Sequence, residues 1–261
     1  MKSRNFLMCL AITIALSSTA HCDVTVVSDG DARLFTSNMS ANGGNTASGR
    51  LIGVNTGGVD NILLQDFNNS SGLAGLAGST VSGAVVTVGI ATGFTNANHG
   101  TTADIINLSE IAIGNLGWDR GTSAVTDGAA TDGSVSYAFQ STTGNPATEV
   151  QWVDASGASV GSIRGALTTV ATTPGYNQGT GGAPPLNGFL TFNVSASVAQ
   201  NWVDNGLSGL ALSATDDGDS RSRFNFGPPA NFSIDFNVVP EPSAGLIGAL
   251  AGLFAVSRRR R

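Results

Sequence analysis

Val81-Ser82-Gly83-Ala84-Val85-Val86-Thr87-Val88-Gly89-Ile90 decides the class of this chain. Its apolar residues form a short run with alternation, rich in β-branched types and closed by turn formers, which is the pattern of a strand and not of a 3.6-residue helix. The same pattern recurs on both sides. It predicts strands at Val24–Val27, Ala32–Thr36, Leu51–Val54, Ile62–Phe67, Val81–Ile90, Ile105–Ile113, Val135–Gln140, Val150–Val153, Phe189–Val194, Leu207–Ser213, Ser222–Phe226 and Phe232–Val238. About a dozen short strands separated by Gly, Asn and Asp turns predict an all-β fold, a β-sandwich of jelly-roll type. One helix interrupts them. Ser197 and Gln200 have the spacing of a capping box, and Val198, Ala199, Trp202 and Val203 follow on one face until Gly206, a natural stop.

The polar stretches 41–49, 122–133 and 172–188 read as the longest connections. In the second, the tandem Asp127-Gly128 and Asp132-Gly133 supplies a side-chain acceptor and a free φ for successive turns. No shift in composition divides the body into two domains, so residues 23–238 are expected as one unit.

Both ends of the chain differ from that body. Lys2 and Arg4 precede an apolar run from Phe6 to Leu16, and small residues lead to Cys22, which gives a secretory signal peptide over residues 1–22 cleaved after Ala20 or after Cys22. At the other end, Val239-Pro240-Glu241-Pro242-Ser243 is followed by a segment without charge from Ala244 to Val256, then Ser257 and Arg258-Arg259-Arg260-Arg261. As a helix this segment covers roughly 20 Å, a marginal span of a hydrocarbon core roughly 30 Å thick. Residues 244–257 are therefore expected as a short transmembrane helix, with Arg258, Arg259, Arg260 and Arg261 as its cytoplasmic stop and the body outside. Pro242 suits the start of that helix, where a missing N–H costs nothing.

Composition excludes several functions. Of the chain's 18 acidic residues only Glu241 lies in the tail, so the body carries 17 against six arginines and no lysine, a net charge of −11. Nucleic acid and anionic membrane surfaces are thereby excluded as ligands of the body. Cys9 leaves with the signal peptide and Cys22 lies at its edge, so no intramolecular disulfide is available. Two histidines, both early, make neither a zinc site nor a triad. Gly157-Ala158-Ser159-Val160-Gly161 fits a nucleophile elbow, but no histidine follows it and a Gly/Ser-rich hairpin is the plainer reading. Glu110 and Glu149 are the body's only glutamates, and no acid–base pair emerges from its aspartates. The expectation is a protein without enzymatic activity.

Two sets of residues point to ligands. Asp216, Asp217 and Asp219, with Asp29 and Asp31, offer oxygen atoms to calcium, although the EF-hand spacing fails because Pro228 stands where the twelfth-position glutamate belongs; a solvated turn is the other reading. Trp118 and Trp152 are candidate stacking platforms for the apolar face of a sugar, or else core residues, while Trp202 falls on the apolar face of its helix and reads as core.

Val239-Pro240-Glu241-Pro242, a short apolar helix and a terminal arginine cluster together resemble the PEP-CTERM sorting signal of bacterial exported proteins. That resemblance implies cutting near Pro240-Glu241-Pro242 by an exosortase, a membrane cysteine transpeptidase, and transfer of the body to an envelope or extracellular-polymer acceptor. Signal peptidase and this transpeptidase would be its processing partners. The body resembles the DNRLRE-type domain, a secreted jelly roll. The resemblance lies in Asp29-Gly30-Asp31-Ala32-Arg33, Asn61-Ile62-Leu63-Leu64, Gly78-Ser79-Thr80-Val81, Trp118-Asp119, Phe192-Asn193-Val194 and Gly209-Leu210-Ala211-Leu212. Gln65-Asp66-Phe67 stands where that family often has Arg-Phe-Asp. Together the two resemblances imply a surface or matrix protein. A module binding an extracellular polysaccharide is the alternative, and adhesion to ice is a third reading for which the chain lacks a regular Thr-x-Thr ladder.

Overall fold

A computed structural model describes residues 22–35, 50–54, 60–67, 71–89, 105–115, 117–118, 135–143, 145, 147–174, 189–214, 224–226 and 232–240. Two antiparallel sheets carry the fold. The first, sheet A, has the order β1 (Cys22–Val27), β14 (Phe232–Val239), β5 (Thr80–Gly89), β11 (Phe189–Val194). The second, sheet B, runs β10 (Leu167–Pro174), β6 (Ile105–Ile111), β12 (Gly209–Ala214), β4 (Asp60–Asp66). Beyond β4 lies β2 (Gly30–Phe35), which pairs with it from Asp66 to Asn61. Because β2 takes that edge, β3 (Arg50–Val54) and β12 must divide the other, β12 against Leu63 to Asp66 and β3 against Asp60 and Asn61. Strand β13 (Phe224–Phe226) extends β3.

The alternation read from the sequence is what packs the sheets together. In sheet A, Val26, Val86, Val88, Leu190, Phe192, Phe232, Ile234 and Phe236 point inward and are buried. They meet Ile52, Leu63, Ile106, Leu108, Leu210 and Leu212 of sheet B in one cluster. Each of these large side chains stabilises the fold by about 1.5–3 kcal/mol on leaving water, so the cluster dominates the energetics. Phe67 and Phe232 pack tilted with centroids 6.0 Å apart.

Helix α1 (Ser71–Ala74) lies beside β1, and Leu73 and Leu76 join the same core. Helix α2 (Ala196–Asn205) closes one end of the sandwich with Ala199, Trp202 and Val203 buried. Trp202 sits edge-on to Phe236 at 6.4 Å and donates its indole N–H to Glu110 Oε2 at 2.7 Å, so its core reading holds. The capping box does not form. Ser195 is the N-cap, and Gln200 instead accepts the backbone N–H of Val81 at 2.9 Å and donates to the Ser79 carbonyl at 3.1 Å. Its amide ties the helix to the start of β5, a tertiary use that local spacing does not reveal. Gly206 does end the helix, with φ +85° and its N–H on the Trp202 carbonyl.

A third layer covers the back of sheet B. Between β6 and β10 the chain makes a 3-10 turn (Ile113–Asn115), a small sheet of β7 (Phe139–Ser141), β8 (Val150–Val153) and β9 (Ser159–Val160), and a second 3-10 turn (Ile163–Ala166). Its Trp118, Val135, Tyr137, Trp152 and Ile163 pack on Ala32, Leu34, Ile62, Leu64, Ile111 and Ala211 from the outer face of sheet B. Strand β4 is consequently buried on both faces, Leu63 in one core and Ile62 and Leu64 in the other.

All twelve expected strands have a counterpart, but two strands were not foreseen. The pair Ser159–Val160 is too short to show a period. Strand β10 lies partly in the stretch expected as loop 172–188; its register shifts between Thr169 and Ala171, so the bulge changes the phase of the alternation and hides it. The Val135–Gln140 strand shrinks to β7, with Val135, Ser136 and Tyr137 buried without a ladder.

Candidate functional site

The back of sheet A is the broad sheet face that no other described residue covers. Its register places Thr25, Asp235, Val85 and Asn193 side by side in one row across the four strands, and Val27, Ser233, Thr87 and Thr191 in the next. Paired residues of antiparallel strands point to the same side, so these rows form one surface. Thr25 Oγ1 donates to Asp235 Oδ1 at 2.5 Å within the first row. Beyond the second row Phe189 pairs with Gly89 and is 46% exposed, the one exposed aromatic ring among the described side chains. The sequence contains the signal for it: in Phe189-Leu190-Thr191-Phe192-Asn193-Val194 the inward set is Leu190, Phe192 and Val194, which leaves Phe189 on the solvent side of a strand that already has its core aromatic.

The tryptophans named from the sequence are elsewhere. Trp118 is 3% exposed and Trp152 fully buried, both in the core between sheet B and the third layer. Their indole N–H groups are satisfied internally, Trp118 by the Ser208 carbonyl at 2.9 Å and Trp152 by the Ser136 carbonyl at 3.1 Å. Of the two readings for Trp118 and Trp152 the core one holds and the sugar-stacking one is corrected, since neither ring offers a face to a ligand. Gly209 explains the fit of Trp118: a Cβ there would lie 2.7 Å from the Gln65 carbonyl oxygen and 3.1 Å from Trp118 Cζ2.

Where that layer meets sheet B, Arg164 donates through Nε and Nη2 to Asp60 Oδ2 at 2.9 and 2.6 Å. Tyr137, buried beside this pair, has its phenol pushed up by burial, further raised by the Asp60 charge and partly offset by Arg164. The cluster joins the two layers by charge-assisted hydrogen bonds. At the far edge, Asp154 Oδ1 accepts from Ser156 Oγ at 2.6 Å, Ser156 N at 2.8 Å and Ala158 N at 3.0 Å, closing the β8–β9 turn. The Ser156 hydroxyl, and after it the Ala158 N–H, hold this carboxyl below the usual carboxylate range. Ser159 pairs with Val153 in that hairpin, so Gly157–Gly161 is a turn and strand and not a strand–turn–helix elbow.

Asp216, Asp217 and Asp219 lie outside the described residues, and among those described no group of three or more His, Cys, Asp or Glu could hold a metal ion. Asp31 is buried at the start of β2 beside Gly30, which pairs with Asp66. Val239 is the last residue of β14 and Pro240 follows it exposed; Glu241, Pro242, residues 244–257 and Arg258 to Arg261 lie outside the described residues. No described helix is long and apolar enough to cross a membrane. No protein-family model matches the chain, and no curated protein sequence matches it.

Proposed function

We propose that this chain is a non-enzymatic exported protein of a bacterial envelope or extracellular matrix, a jelly roll passed by residues 239–261 to an exosortase-type transpeptidase. The observation that carries the reading is the pairing of the chain's first and last described strands, with Cys22 opposite Val238. Both expected processing segments thus leave one folded unit from the same end of one sheet, and removing either costs at most one terminal strand residue, Cys22 of β1 or Val239 of β14. Cleavage after Ala20 keeps the Cys22 pairing, and cleavage after Cys22 starts the strand one residue later, at Asp23 opposite Asn237. Pro240 lacks the N–H that would continue the β14 ladder, so the strand stops where the sorting motif starts. If the membrane helix begins at Ala244, four residues separate it from the sandwich, a reach of at most about 14 Å. The body is then held against the membrane until it is cut.

What supports the jelly-roll reading is the order of pairing. Taking β1, β4, β5, β6, β10, β11, β12 and β14 as first to eighth, the first pairs with the eighth, the second with the seventh, the third with the sixth and the fourth with the fifth. A long hairpin rolled into two sheets has this nested order. The third layer is then an insertion between the fourth and fifth strands.

Truncation after Pro240 tests the sorting reading without disturbing β14. The protein should appear in the medium with an unchanged melting temperature. Retention at the surface equal to that of the full chain would refute it.

A further inference from the structure

We infer that the back of sheet A is a binding platform for a neutral polysaccharide chain, with Phe189 as the stacking ring and Thr191, Asn193, Thr87 and Asp235 as its hydrogen-bonding rows. A polar sheet face by itself only meets water, so the inference rests on three further properties of this one. The first is its composition. Among its described residues there is no Lys, Arg, Glu or Gln, the long side chains that usually shield a solvated sheet and whose ordering costs the most entropy. Thr, Ser, Asn, Asp and Val leave a low, stiff surface whose hydroxyl and amide groups are already in place, and a preformed surface loses less freedom on binding.

The second property is the placement of Phe189. Its cross-strand partner Gly89 has no side chain to lie against the ring, and Thr191 stands two residues along on the same face. An apolar ring bordered by hydroxyl and amide groups matches one class of ligand: a pyranose presents C–H groups on its faces and hydroxyls around its edge. The four strands set such groups across about 14 Å, which suits a chain of sugars better than a single one.

The third property is charge. Asp235, with Asp23 at the margin, supplies the only formal charges among the described residues of the face, and the body carries −11 with no lysine. Uronic acids, sulfated glycans and phosphopolymers would be repelled, whereas a carboxylate makes strong hydrogen bonds to neutral hydroxyls. The inference does not rest on the sorting reading, because it concerns a face of the folded body.

The test uses residues 22–240, which contain every described element, in native affinity gels cast with cellulose derivative, laminarin, xylan or alginate. Retardation by at least one of the three neutral polymers is expected, with none by alginate. Phe189→Ala should weaken it at least about tenfold and Asn193→Ala by a smaller factor, while Phe189→Trp retains it. All three variants should unfold in one cooperative transition, with Phe189→Ala no more than about 1 kcal/mol less stable than the parent because the ring is only half-buried. No retardation by any neutral polymer, retardation undiminished in Phe189→Ala, or preference for alginate would each overturn the inference. So would light scattering that shows a dimer dispersed by Phe189→Ala, or thermal hysteresis that depends on the Thr87 and Thr191 rows.

Discussion

Strand β14 alternates, with Phe232, Ile234 and Phe236 buried and Ser233, Asp235 and Asn237 partly exposed, whereas every residue of β12 from Gly209 to Ala214 is buried. The two strands belong to sheets that share one core and differ in what lies behind them. Behind sheet A no other described residue packs; behind sheet B lies the third layer, with a core of its own around Trp118 and Trp152. The difference explains two kinds of sequence. A sheet wetted on one face needs an apolar residue at every second position, while a sheet buried on both accepts continuous runs such as Asn61-Ile62-Leu63-Leu64 and Gly209-Leu210-Ala211-Leu212. The back of B is spent on packing, whereas the back of A carries no packing partner among the described residues.

The strongest way to break this comparison is to remove the centre of the second core. Trp152→Ala deletes a fully buried ring and the bond to the Ser136 carbonyl, and should cost about 3–5 kcal/mol. If the third layer is a satellite of the sandwich, denaturant unfolding of this variant will split into two transitions, with amides of β7 to β9 exchanging first and those of β14 last. A single transition with uniform exchange would show that the two cores act as one cooperative unit.

A matched pair of substitutions sharpens it. Leu64→Thr puts a hydroxyl into the dry interface behind sheet B and should destabilise by about 2–4 kcal/mol. Val85→Thr, on the back of sheet A, should change stability by no more than about 0.5 kcal/mol. Urea midpoints of the two proteins decide the matter, and equal losses would mean that the back of A is covered.

The smallest effect is expected from acid. The Asp154 carboxyl is held low in the folded state by the Ser156 hydroxyl, so its stabilising effect is fully present above the ordinary carboxylate value and is lost as pH falls through the lowered one. Protection of the Ala158 amide, taken relative to its intrinsic exchange rate at each pH, should therefore fall on acidification. In Asp154→Asn, which keeps an acceptor oxygen but cannot titrate, that acid-side fall should vanish.

Much of this architecture was legible residue by residue. Phe232-Ser233-Ile234-Asp235-Phe236 announces both its strand and which side faces inward, and Gly206 marks the end of α2. Trp202 was correctly placed because its helix supplies a face to read. For Trp118 and Trp152 the sequence leaves core and platform both open, because neither lies on an element long enough to show a face, and packing against the outer side of sheet B decides for the core. Phe189 carries a readable signal in the phase of its strand.

The sequence by itself determined the local quantities: an all-β body, the boundaries of most strands, helix α2, and the acidic character that restricts its ligands. These depend on the alternation of side chains over a few residues and on summed charge. Tertiary structure alone decided which strands pair, that β1 closes against β14 through residues such as Thr25 and Asp235, 210 positions apart, and that one sheet is buried twice while the other keeps a face that no other described residue covers. Alternation specifies that a face is apolar but not which surface will meet it, and that choice rests on contacts between segments whose sequences carry no record of one another.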